Sequence, residues 1–178
     1  MKIRFLLVFL SMFALKNTLL ANDEVNLYDF SFEDIDGNQV NLNKFSGKPI
    51  LIVNTASRCG FTPQYANLQN LFIEYKDSDL TIIATTSNSF AQEYNNVDDI
   101  KKICLVNYGV GFVTSSPMSV TGNNVHPIYN WISYEYNKSP KWNFYKFLFD
   151  REGKLVSTWS SMTKPDSHKI TNKIDELI

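Results

Sequence analysis

Two residues of the 178, Cys59 and Cys104, carry a thiol. Cys59 follows the apolar run Ile50-Leu51-Ile52-Val53 and its extension to Ala56, and it precedes Pro63 and a segment of helical spacing. Proline is tolerated in the first turn of a helix, where the N–H it lacks has no partner anyway. A sulfur in such a strand-to-helix turn faces unpaired backbone N–H groups and the positive end of a helix dipole. Both favour the nucleophilic thiolate, and such surroundings lower a thiol pKa to roughly 3.5–7.5 from about 8.5. Arg58 adds a cation next in sequence. A buried inert cysteine is the competing reading, since cysteine is among the most buried residue types. A strand-to-helix turn is a poor place to hide a side chain, so the reactive reading of Cys59 is preferred. Cys104 shares an apolar stripe with Val97, Ile100 and Ile103, and periodicity alone makes it an ordinary core residue. In an exported chain the pair also reads as one structural disulfide.

The elements that must position these thiols are legible in outline. Alternating apolar residues on either side of Asp36-Gly37 predict a hairpin over Asn26–Leu42, because that dipeptide supplies the positive φ a tight turn requires. The run Ile50–Val53 predicts a strand buried on both faces, and Leu80–Ala84 a second. Leu68, Leu71, Phe72 and Tyr75 set a helix over Gln64–Tyr75, and the Cys104 stripe sets another over Val97–Asn107. His126–Tyr134 reads as a helix, and Tyr145–Phe149 pairs with Leu155–Trp159 around Asp150-Arg151-Glu152-Gly153. A last helix carries Ile170, Ile174 and Leu177, capped by Asp166 or Ser167. This order supports an α/β domain with a mixed sheet.

Three segments resemble one known family. Asn54-Thr55-Ala56-Ser57-Arg58-Cys59-Gly60-Phe61-Thr62-Pro63-Gln64-Tyr65 is similar to the peroxidatic segment of glutathione peroxidases. Leu105-Val106-Asn107-Tyr108-Gly109-Val110-Gly111-Phe112 and Lys141-Trp142-Asn143-Phe144 with Lys146-Phe147-Leu148 follow in the family's order. The resemblance runs from about Tyr28 to the C-terminus. It implies a thioredoxin-like fold, a mixed central sheet flanked by helices with an N-terminal hairpin, and reduction of hydrogen peroxide or organic and lipid hydroperoxides. It also implies that Cys59 is the attacking residue, with Trp142 and Asn143 beside it as N–H donors to a thiolate and a departing hydroxide. By motif, Cys104 matches the resolving cysteine of two-cysteine, thioredoxin-dependent members. That thiol condenses with a sulfenic acid on Cys59 before over-oxidation, and a reductant reopens the disulfide. A helix must yield for the sulfurs to meet, so local unwinding around Ile100–Asn107 is expected. One position departs from the family: Asn88-Ser89-Phe90 stands where Asn-Gln-Phe is usual. Ser89 has a shorter reach and one donor proton, so Asn88, Gln92 or a backbone N–H must fill the gap, or the rate falls. A peroxide-sensing module or a structural disulfide protein without turnover is the alternative.

The composition is that of a globular protein, 44% apolar and 20% charged, and 178 residues suit one domain. Residues 1–21 have the layout of a secretory signal: Lys2 and Arg4, an apolar stretch from Phe5 to Leu15, then Ala21 as a small residue at the cut. Export, to a periplasm, with a mature domain over 22–178, is expected. Without Lys2, Arg4 and Lys16 the chain keeps 14 basic against 18 acidic residues, and nothing in it attracts nucleic acid. The two histidines, His126 and His168, lack ligand-spaced partners, so neither a metal nor any other cofactor is expected. His126 in His126-Pro127-Ile128-Tyr129 reads as structural. Between Asn137 and Trp142 the chain lacks the insertion by which tetrameric members assemble, and the resemblance therefore implies a monomer or weak dimer. The reductant is expected to be a thioredoxin-like protein rather than glutathione.

Overall fold

The computed structural model describes residues 25–178, so the expected signal segment lies outside the described residues. Strand β3 (Ile50–Thr55) is the spine of the fold. It pairs in parallel with β4 (Thr81–Thr86) and antiparallel with β6 (Lys146–Phe149). β5 (Val113–Thr114) extends the sheet in parallel beyond β4, and β7 (Leu155–Trp159) closes the other edge antiparallel to β6, giving the order β5-β4-β3-β6-β7. The sheet is mixed, as the sequence suggested. The N-terminal hairpin, β1 (Ser31–Glu33) with β2 (Gln39–Asn41), forms a separate two-stranded sheet that is shorter than the expected span. Short 3₁₀ turns at Leu27–Asp29 and Leu42–Phe45 take up the remainder.

Period-two alternation along β3 divides the core into two layers. Ile50 and Ile52 face α3 (Pro127–Tyr136) and the N-terminal hairpin, in one apolar cluster with Ile128, Tyr129, Ile132 and Phe147. Leu51 and Val53 face α1 (Gln64–Glu74), α2 (Val97–Lys101) and α4 (His168–Asp175), in a second cluster with Leu68, Leu71, Ile100 and Ile174. Both cysteines are free and belong to this second cluster. The sheet thus delivers the two thiols to one of its faces.

The helix expected over Val97–Asn107 is α-helical to Lys101 and continues as a π turn over Lys102–Asn107. Tyr108 N–H reaches back five residues to Ile103 O at 3.2 Å. α3 begins at Pro127, and His126 is its N-cap, accepting the Ile128 N–H on Nδ1 at 3.3 Å. That gives His126 the structural part expected of it. α4 starts after Ser167, whose hydroxyl makes no cap bond, and Asp166 binds Asn67 instead. β5 was not visible in the sequence, because two residues carry no periodicity.

Candidate active site

Cys59 lies in the loop between β3 and α1, 7% exposed. Its Sγ accepts the Phe61 N–H at 3.4 Å, and its own N–H donates to Thr62 Oγ1 at 3.0 Å. Thr62 Oγ1 in turn donates to Ala56 O at 2.8 Å, which folds the loop back onto the end of β3. The sulfur therefore sits just ahead of α1 with a backbone donor on it, as the strand-to-helix reading required. Arg58 does not approach it as an ion partner; its guanidinium stacks over the Tyr94 ring, 5.4 Å from the centroid.

A second loop, residues 88–93, is tied against the first. Arg58 N–H donates to Gln92 O at 2.9 Å, and Ser57 N–H donates to both carboxylate oxygens of Glu93 at 3.1 Å. Glu93 also accepts the Tyr94 N–H at 2.9 Å, while its own N–H binds Asn88 Oδ1. Burial pushes the Glu93 carboxyl above its ordinary range, and the N–H groups of Ser57 and Tyr94 pull the other way. Ala91 turns the loop through a left-handed φ of 56°.

The third strand of the site is residues 142–145, held by Asn54. Asn54 Nδ2 donates to Trp142 O, and Oδ1 accepts the Tyr145 N–H, both at 3.0 Å. Phe144 is wholly buried in the left-handed region at φ 63°, a conformation that persists only when its surroundings impose it. Trp142 is 39% exposed, and its indole packs on Phe90, with centroids 5.3 Å apart. Asn143 is fully buried and donates through Nδ2 to Gln92 Oε1 at 3.0 Å. Gln92 thus links the two segments, its main-chain carbonyl accepting the Arg58 N–H beside Cys59 and its side chain accepting Asn143.

Ser89 is placed elsewhere. Its hydroxyl accepts the N–H groups of Val120 and Thr121 at 3.0 and 3.4 Å and the hydroxyl of Ser87 at 3.1 Å. Among the described residues it makes no hydrogen bond to Cys59, Trp142 or Asn143, whereas Gln92, one of the candidates for the missing donor, bonds Asn143.

Cys104 is fully buried inside the π turn, and burial pushes its thiol up to about 11. Val106, two residues on, is 75% exposed. Thr55 Oγ1, Ser57 Oγ, Tyr65 OH and Asn143 Oδ1 are buried with no protein partner. Buried polar atoms seldom lack partners, and these four lie on the elements that frame Cys59. No group of three or more metal-ligating side chains occurs among the described residues.

Residues 27–133 match the family model for glutathione peroxidase. A hydroperoxy fatty acid reductase of Synechocystis is 39% identical over 90% of this chain and 99% of its own length. A glutathione peroxidase-like peroxiredoxin of Schizosaccharomyces pombe is 37% identical over 86% and 99%. The apo crystal structure of Trgpx aligns with a TM-score of 0.70 at 33% identity, covering 86% of this chain and 96% of that one. The chain belongs to the glutathione peroxidase family. It is a peroxidase with a thioredoxin-like fold, and its chemistry pairs a hydroperoxide with a thiol-based reductant.

Three neighbours of the site carry no clear mark in the sequence. Asn54 was visible as a polar residue inside an apolar strand run. Glu93 follows Gln92 directly, yet nothing local marks a carboxylate for burial. Lys146 reads as one charge in an alternating strand, and the structure buries it completely.

Proposed function

We propose that Cys59 reduces hydrogen peroxide and organic or lipid hydroperoxides, and that Cys104 resolves the oxidised product. In the first step the Cys59 thiolate attacks the distal peroxide oxygen, the O–O bond breaks, and the alkoxide or hydroxide leaves as alcohol or water after taking a proton. Cys59 is then a sulfenic acid. Cys104 attacks its sulfur, water departs and a disulfide remains. A dithiol reductant, of thioredoxin type, restores both thiols by exchange. Trp142, Asn143 and the Gln92 amide are the donors that stabilise the departing oxyanion.

The observation that carries this reading is the pairing of free Cys59 at the head of α1 with free Cys104 in a π turn on the same sheet face. π turns are rare and recur at functional sites, and this one occupies the stretch that must yield for the sulfurs to meet. Lipid hydroperoxides as substrates accord with the name of the Synechocystis relative. Export to a periplasm, with residues 1–21 removed, and a monomer or weak dimer complete the proposal; the first rests on the signal layout and the second on the short 137–142 segment.

Stopped-flow consumption of hydrogen peroxide by reduced wild type, Cys59→Ser and Cys104→Ser tests it. Fast consumption that disappears in Cys59→Ser, with a single turnover per added thiol in Cys104→Ser, is expected. Slow consumption by the wild type would sink the enzyme reading.

A further inference from the structure

Lys146 opens β6, opposite Val53 on one side and Trp159 on the other, and none of its surface reaches solvent. Its Nζ donates to Gln64 Oε1 at 2.5 Å and to Thr163 O at 2.7 Å, both neutral acceptors. None of the three ion pairs among the described residues includes it. A buried ammonium without a counter-ion is costly, and a methionine of similar length would fill the same space without that cost.

The bonds beyond Gln64 supply a reason for the charge. An ammonium has only donors, so Gln64 must turn Oε1 toward it. That leaves Gln64 Nε2 to donate to Ser161 O at 2.6 Å. Ser161 Oγ donates to Asn143 O at 2.5 Å, and Asn143 Nδ2 donates to Gln92 Oε1 at 3.0 Å. The acceptors on Ser161 and Asn143 are main-chain carbonyls, so the series transmits position: Gln64 holds the Ser161 backbone, and Ser161 Oγ holds the Asn143 backbone. With Oε1 taken, Gln92 presents Nε2 as its remaining polar group, and Nε2 has only hydrogens to offer. Gln64, Ser161, Asn143 and Lys146 are all buried, so solvent does not compete for these bonds and the tether is kept.

We propose that Lys146 is a positioning residue for peroxide reduction, holding Gln64 against the Ser161 backbone and thereby seating the Asn143 segment against Gln92 on the loop that braces Cys59. The inference rests on the assignment of Asn143 and Gln92 to the peroxide step. Without the Lys146 donors the Gln64 amide can turn over, Ser161 O loses its partner, and the Asn143 segment loses its seat against Gln92. Misplacement of this kind costs about 10- to 100-fold in rate.

The test compares wild type, Lys146→Met, Ser161→Ala, the double variant and Asn143→Ala by stopped-flow peroxide consumption, with circular dichroism and melting as controls on folding. Lys146→Met and Ser161→Ala should each lose about 10- to 100-fold in the peroxide step. The double variant should be no slower than the slower single one, since both cut one series. The Asn143 and Gln92 side-chain amide proton resonances should shift together in both single variants, which a purely structural lysine would not cause. Wild-type rate in a folded Lys146→Met, or additive losses in the double variant, overturns the proposal. If Lys146→Met does not fold, Ser161→Ala decides, and a wild-type rate there overturns it equally. A wild-type rate in Asn143→Ala instead removes the underlying assignment of the site.

Discussion

The Asn143 side-chain amide donates to Gln92 Oε1 across 3.0 Å, joining the 142–145 segment to the loop that braces Cys59. If Gln92 supplies the donor that Ser89 is too short to give, alanine variants at the two positions separate them. Gln92→Ala should slow peroxide consumption about 10²-fold, the scale for losing one oxyanion donor. Ser89→Ala should stay within a few-fold of wild type. Stopped-flow rates on the two variants decide; a larger loss in Ser89→Ala reverses the assignment.

Cys104 is sealed in the π turn with its thiol pushed up to about 11, so it stays protonated and unreactive in the reduced enzyme. In Cys59→Ser, iodoacetamide should label Cys104 slowly at pH 7 and faster as pH climbs toward 11. In wild type, amides 102–107 should lose exchange protection on oxidation. Equal protection in the reduced and oxidised forms would exclude opening of this turn.

The two buried charges should pull stability in opposite senses with pH. Glu93 has its folded pKa raised, so the fold prefers its neutral form and the cost appears as pH rises through that value. Glu93→Gln should gain on wild type from pH 4 upward. Lys146 is lowered by burial to about 7 from 10.5, so its cost is full below 7 and fades between 7 and 10.5. The advantage of Lys146→Met should shrink over that window. Denaturant midpoints measured across pH give both slopes, and parallel curves for variant and wild type contradict them.

Asn54 satisfies Trp142 O and Tyr145 N–H with its side chain, and Phe144 N–H with its own carbonyl. Asn54→Ala strands two backbone groups and should cost about 2–6 kcal/mol, at about 1–3 for each buried group left unpaired. It should also slow the peroxide step, because it frees the segment that carries Trp142 and Asn143. A loss below about 0.5 kcal/mol in denaturant unfolding, the range of a neutral surface change, contradicts this.

The part of the site written in local pattern was legible. Cys59 announced itself because an apolar strand run, Pro63 and a helical repeat bracket it, and the mixed sheet followed from the order of such runs. At Ser89 the motif fixes a position in the chain but not the rotamer; its hydroxyl accepts the N–H groups of Val120 and Thr121. Glu93 and Lys146 were invisible for a different reason. Lys-Phe-Leu-Phe reads as a strand with one wet face, and only the placement of β6 between β3 and β7, under the 160–163 segment, makes that face dry. Burial by distant chain segments leaves no trace in local periodicity. The switch from α to π at Lys102 is equally silent, since both helix types accept the same apolar stripe.

The π turn also sets how far Cys104 must travel. A π turn holds one more residue than the α turn that flanks it, so the helix carries a surplus residue at this point. Passing that surplus along the chain by one register step rotates a side chain by about 100°, the angle per residue of an α-helix, while the bonds above and below are re-formed rather than lost. Such register shifts occur in microseconds to milliseconds. Cys104 is thus mounted on slack already present in the folded chain, and under the proposed resolving role its swing toward Cys59 would set a clock for turnover separate from the reaction with peroxide.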